Sequence, residues 1–224
     1  MRHEIKYLIS APSAKIVKSL LSPVLDYDSH YTESWYTVSS LYFDDLSFSA
    51  YNEKVDGMPE REKFRIRIYN SDTSYIVLEK KSKKNDLVSK DSIVLTKDLV
   101  SGIISGEKIR MEDSLAREFD AKLLSDGLRP LVTVKYDRTA FVYRAENTRI
   151  TIDENIRFSL SPSSLSDINA VFIPLQSEFR TVMEVKYDRV FPSFLVPVLS
   201  SVPTERTSYS KYAMAVSAIE GSYL

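Results

Sequence analysis

No stretch constrains the fold more than Arg61-Glu62-Lys63-Phe64-Arg65-Ile66-Arg67-Ile68-Tyr69. In a strand successive side chains point to opposite faces, so Lys63, Arg65 and Arg67, preceded by Arg61, form one row, and Phe64, Ile66 and Ile68 form the other. The apolar row needs a core. The cationic row repels itself unless water screens it or an anion sits on it. Two arrangements meet both demands: an open antiparallel sheet with one solvated face, or a closed barrel whose charged faces line the interior.

The same alternation recurs along the chain. Residues 2–9 place Arg2, Glu4 and Lys6 on one side of a first strand. The spacing of Ile16, Val17, Leu20 and Leu21 predicts a helix over 13–21, capped by Ser13 and closed by Pro23. Strands are predicted over 36–43 and, carrying Lys54, over 49–55, with a turn at Asp56-Gly57. The turn cluster 70–74 returns the chain over 75–81, which puts Glu79 and Lys81 on one face, and 92–95 reads as a further short strand. Leu115, Phe119, Leu123 and Leu124 mark a helical stripe ending at Gly127. A hairpin over 131–143 and 148–158 turns at Glu146-Asn147 and carries Arg138 on its first strand and Arg149, Thr151 and Asp153 on its second. Residues 182–188 alternate with Glu184 and Lys186 on one side, and 208–219 read as a final helix with Lys211 in its first turn. Val-Lys-Tyr-Asp-Arg occurs at 134–138 and 185–189, too short an echo to define a repeat architecture.

Composition narrows the chemistry. There is no cysteine, and the two histidines, His3 and His30, leave little for a zinc site, so a metal would sit on oxygen ligands such as magnesium or manganese take. None of the five glycines belongs to a phosphate-cradling loop motif, so phosphate recognition falls to Lys and Arg side chains. A net charge of −1 gives no general basic field for nucleic acid, and RNA binding is the less expected partner. No apolar run reaches the roughly 18 residues of a membrane span, nor does the start carry an apolar leader, and the expectation is a cytoplasmic protein.

Eight segments taken in order, His3-Glu4-Ile5-Lys6-Tyr7, Ser40-Leu41-Tyr42-Phe43-Asp44, Lys63 to Tyr69, Leu78-Glu79-Lys80-Lys81, Arg129-Pro130-Leu131-Val132 with Asp137-Arg138-Thr139-Ala140-Phe141, Arg149-Ile150-Thr151-Ile152-Asp153, Met183-Glu184-Val185-Lys186 and Ser210-Lys211-Tyr212, resemble the VTC domain of polyphosphate polymerases. That family lies in the triphosphate tunnel metalloenzyme (CYTH-like) superfamily. The resemblance runs over nearly the whole chain and implies one domain, 1–224, of mainly β, α+β class, with antiparallel strands closed into a barrel tunnel and flanking helices. It implies a polyphosphate polymerase that transfers the γ-phosphoryl of ATP to a growing inorganic polyphosphate with Mn2+ or Mg2+. Arg65, Arg67, Lys81, Arg138, Arg149 and Lys186 become the catalytic cations, Lys6, Lys54, Lys63 and Lys211 further substrate-binding groups, and Glu184 the metal ligand. Glu4 and Glu79 are weaker metal candidates or orient neighbouring cations. A separate membrane-protein partner fits the family. The chain departs from its relatives at Lys54, where some carry arginine, and at Ser208, where some carry lysine. Hydrolytic relatives alternate two glutamates and a lysine on the first strand; here the triplet is Arg2, Glu4, Lys6. The rival readings are a metal-dependent tri- or polyphosphatase and a non-catalytic polyphosphate or nucleotide sensor.

Overall fold

A computed structural model describes residues 3–28, 34–85, 87–175 and 181–221. Arg2 and His30, singled out above, lie outside the described residues. In chain order the strands are β1 (His3–Ile9), β2 (Asp26–Tyr27), β3 (Tyr36–Asp44), β4 (Glu60–Tyr69), β5 (Asp72–Lys84), β6 (Leu87–Leu95), β7 (Arg129–Tyr143), β8 (Thr148–Ser159), β9 (Ile173–Pro174), β10 (Thr181–Tyr187) and β11 (Glu205–Thr207). The helices are α1 (Ala11–Leu21), α2 (Ser49–Val55), α3 (Lys97–Ile104), α4 (Ser114–Ser125), α5 (Val196–Ser200) and α6 (Lys211–Glu220). The chain forms two compact units: the first is Met1–Thr37, Tyr136–Ile156 and Pro174–Ser210, the second Val38–Lys135, Arg157–Ile173 and Lys211–Leu224.

In the first unit the strand order is β11-β1-β10-β8-β7, with β2 beside β7 and β9 beside β8. The described pairings are antiparallel, and the register sets Glu4 opposite Lys186 and Lys6 opposite Glu184. The core lies on the other face, where Ile150, Ile152, Met183 and Val185 pack with Val17 and Leu21 of α1. That helix starts two residues earlier than its apolar spacing predicts, because the hydroxyl of Ser10, not Ser13, accepts the Ser13 amide at 3.2 Å.

In the second unit the order is β3-β4-β5-β6, again antiparallel. Phe64, Ile66 and Ile68 are buried with Leu41, Phe43, Leu78 and Phe119 of α4, so the opening alternation places its apolar row on the core as expected. Asn70 and Ser71, both at positive φ, make a tight two-residue reversal, so β5 starts at Asp72 and runs further than 75–81. Likewise β6 is nine residues long where only 92–95 was expected.

One expected strand is a helix. Residues 49–55 form α2 because the chain turns at Asp44 and Asp45, whose carboxylates accept the amides of Ser49, Ala50 and Tyr51 at 3.0–3.1 Å. These are the amides a helix start leaves without partners, so the acids preceding the segment decide its conformation. Helix α3 has no counterpart in the sequence reading. Within neither unit do the pairings among the described residues join the outer strands, β11 in the first and β6 in the second, into a closed ring. The observed fold is therefore mainly antiparallel sheet with flanking helices, and the barrel closure expected above is not part of the observed pairing.

Candidate functional site

The second unit carries the cation row with which the sequence opened. Cross-strand register makes it two-dimensional: Lys63 faces Lys81, which faces Lys90, while Arg61 faces Lys83. Like charges directly opposite one another destabilise a sheet, so this arrangement is costly without an anion. Among the described residues a buried carboxylate answers part of it. Glu79, opposite Arg65, is buried; its Oε2 accepts from Nε of Arg65 at 2.7 Å and stands 3.7 Å from Arg67, while Oε1 accepts from Lys90 at 2.9 Å. Burial alone would raise the Glu79 carboxyl, but Arg65, Arg67 and Lys90 outweigh it and hold the group well below the usual carboxylate range. Glu79 thus orients cations. Arg67 is itself buried and donates from Nε to Ser40 at 3.0 Å.

The remaining second-unit candidates lie on helices. Lys54 sits half-buried in the last turn of α2, a correction that follows from the helix replacing the expected strand. Lys211 opens α6, as expected, and is half-buried.

In the first unit, four of the predicted groups meet on one face of β1 and β10. Glu4, Lys6, Glu184 and Lys186 form a checkerboard, with Lys186 3.1 Å from Glu184 and 3.6 Å from Glu4, and Lys6 3.4 Å from Glu4. Lys6 also donates to the Tyr209 carbonyl at 3.1 Å. Burial pushes the Glu184 carboxyl up, but the charges of Lys186 and Lys6, a hydrogen bond with Glu4 and the charge of Arg138 bring it well below the usual range. The ionised form of Glu184 is therefore the one these neighbours favour. Among the described residues no group of three or more acids and histidines converges to hold a metal. Glu4 and Glu184 share Lys186, at 3.6 and 3.1 Å. Magnesium and manganese take one or two carboxylates and complete their shell with water and substrate phosphates, so this hard-oxygen pair fits such an ion on a phosphate substrate.

Arg138 and Arg149 are placed by acids that the sequence reading did not assign. Arg138 forms a bidentate pair with the buried Asp153, Nε to Oδ1 at 2.6 Å and Nη2 to Oδ2 at 2.8 Å, which leaves Nη1 outside the pair. Its guanidinium carbon lies 5.1 Å from the Tyr136 ring centroid. Arg149 bonds through Nη2 to Asp28 and, at 3.0 Å, to the Tyr36 hydroxyl, which itself donates to Asp28. Among the described residues, the Nε of Arg149 and the hydroxyl of Thr151, both buried, have no hydrogen-bond partner. Thr151 stands opposite Glu184 in register, so unmet polar capacity lies beside the carboxylates. The second copy of the five-residue echo ends differently: Arg189 is surface-exposed and pairs with Glu146.

Antiparallel sheet, cation rows and embedded carboxylates thus make up a mainly β fold with flanking helices, and known structures share it. The structure is similar to that of a putative adenylyl cyclase from Hippeastrum described as having a dominant triphosphatase activity, with a TM-score of 0.57 and 16% identity over 97% of this chain and 96% of that one. It is also similar to a putative adenylate cyclase from Bacillus halodurans, with a TM-score of 0.52 and 14% identity over 90% of this chain and 92% of that one. These likenesses concern the fold. The VTC domain matches residues 1–220, and the chain belongs to that family. It is 25% identical over 166 residues to the vacuolar transporter chaperone complex subunit 4 of Schizosaccharomyces pombe, a match covering 63% of this chain and only 23% of that relative's length.

Proposed function

We propose that the chain is a polyphosphate polymerase, transferring the γ-phosphoryl of ATP to the end of an inorganic polyphosphate. The observation that carries the reading is the in-register array Lys63, Lys81 and Lys90 beside Arg65 and Arg67, with Glu79 shared among three of those cations. A linear polyanion relieves that repulsion along its length, where a single anion relieves one point. Phosphoryl transfer needs alignment and charge neutralisation more than covalent help. Within the second unit Arg65, Arg67 and Lys81 hold phosphate oxygens, with Lys63, Lys54 and Lys211 as further binding groups; within the first, Lys6, Arg138, Arg149 and Lys186 have that role. The terminal phosphate of the acceptor chain is already anionic near neutral pH, so no general base is required.

Glu184, with Glu4, would hold Mn2+ or Mg2+, which supplies electrostatic stabilisation of the transferring group. The buried Thr151 hydroxyl, opposite Glu184 in register, supports the reading as a polar group that a substrate oxygen would satisfy. Residues 1–224 are read as one VTC-type domain, and closure of its strands into a tunnel, which the family resemblance implies, belongs to this proposal. So do a cytoplasmic location and a separate membrane-protein partner. Among the described residues no helix is long and apolar enough to cross a membrane, and the Schizosaccharomyces pombe relative is a subunit of a complex.

The test is to follow ADP and orthophosphate separately with ATP and manganese, for the wild type and Glu184→Gln. ADP released without matching orthophosphate, and abolished in the variant, supports transfer. Equal release of both would mark a hydrolase, and ATP binding without turnover a sensor.

A further inference from the structure

Tyr42 lies on β3 directly opposite Arg65 and is 4% exposed. Arg65 donates from Nη1 to its hydroxyl oxygen at 3.2 Å. The Lys63 ammonium and the Arg65 guanidinium stand 5.8 and 5.9 Å from its ring centroid, and Arg67 adds a third positive charge from β4. From α6, Tyr212 packs against it with ring centroids 5.2 Å apart, but the Tyr212 hydroxyl is given to Asp44, and burial together with that carboxylate keeps Tyr212 neutral. From β5 comes Glu79, whose oxygens are engaged by Arg65, Arg67 and Lys90. The Tyr42 oxygen is therefore one that faces β4 cations without being a carboxylate. Burial would push the phenol up, yet Arg65, Lys63 and Arg67 outweigh it and pull it down to about 7.

We propose that Tyr42 is a proton-linked positioning residue of the anion site: beside Glu79, its phenolate oxygen serves as a further internal anion facing Lys63 and Arg65, and takes up a proton when a phosphate oxyanion arrives at those cations. The step is balanced: a buffer acid gives up its proton and keeps the electron pair as its conjugate base, and one O–H bond forms on Tyr42. Once neutral, the hydroxyl still accepts from Arg65 and gains a proton to donate toward the arriving oxygen, so the guanidinium keeps its place and its pair with Glu79. The inference rests on the reading that phosphates occupy the Lys63–Arg65 face, and the experiment separates the two.

The probe is inorganic tripolyphosphate without metal, added to the whole chain at about pH 8.5, well above the Tyr42 value and below that of an ordinary tyrosine. The readout is the ultraviolet band of tyrosinate. The expected result is a band equivalent to about one tyrosinate, bleached as tripolyphosphate is titrated in and missing from Tyr42→Phe. Affinity in the wild type should fall about tenfold more per pH unit above 8 than in that variant, because binding takes up a proton. Lys63→Gln, a second variant, should move the band's onset to higher pH. Arg65-dependent binding with a band that persists, or with none from the start, overturns the inference and leaves the functional reading standing. Absent binding, or binding indifferent to Arg65→Ala, overturns both.

Discussion

Replacing Asp153 by Asn removes the charge that holds Arg138 and leaves the shape almost unchanged. The Asp153 side chain is wholly buried and that of Arg138 is 10% exposed, so solvent cannot replace the lost partner. Both carboxylate oxygens are used, at 2.6 and 2.8 Å, and burial of the guanidinium is outweighed by that carboxylate. Breaking a buried pair by removing one partner costs about 3–5 kcal/mol, most of it the cost of an uncompensated buried charge. For a chain of this length each kcal/mol lowers Tm by about 2–4 °C, giving a fall of roughly 6–20 °C. Urea unfolding followed by circular dichroism reads the loss as a lower midpoint at unchanged slope. The double variant Arg138→Met, Asp153→Leu should recover most of the stability, because it removes both charges, while losing tripolyphosphate affinity. A loss below about 1 kcal/mol in Asp153→Asn would refute the reasoning, since it would mean that water or another acid already balances Arg138.

Three further outcomes follow from the same structure. Because the Glu79 carboxyl is held below its ordinary value, its contribution to stability is full above about pH 4.5 and is lost as pH falls; Glu79→Gln should therefore be less stable than wild type at neutral pH, and the gap should narrow in acid melts. That same variant leaves the rows around Lys63, Lys81 and Arg65 without their shared anion, so tripolyphosphate should raise its Tm more than it raises the wild type's. Asp44→Ala removes the acceptor for the amides of Asp45, Ala50 and Tyr51 and for the Tyr212 hydroxyl, and should cost about 2–4 kcal/mol in denaturant unfolding.

Much of the second unit was legible because its signal is local. Alternation over 61–69 fixes which side chains meet the core, and Phe64, Ile66 and Ile68 are buried as that rule requires. The strand reading of 49–55 failed because Tyr51 and Val55 favour strand on propensity, while the deciding interaction comes from Asp44 and Asp45 in the preceding turn. Helix α3 did carry a usable signal: Thr96 as N-cap, Asp98 in the first turn, and Val100 and Ile103 one turn apart. For the candidate site, the sequence marks the cations but hides their partners. Asp153 shares a face with Arg149 in the hairpin, yet its pairing with Arg138 depends on register, and Asp28 reaches Arg149 from a distant part of the chain. Lys90 could have been found by counting outward from Lys81 across the next hairpin, had β6 been read at its full length.

The most direct test of the account is to incubate the purified protein with ATP and manganese and resolve the phosphate products by size over time. Chains that lengthen as ADP accumulates, and that vanish in Arg65→Ala and Glu184→Gln, are the predicted result. Orthophosphate as the sole phosphate product, or chains that form undiminished in both variants, would contradict it.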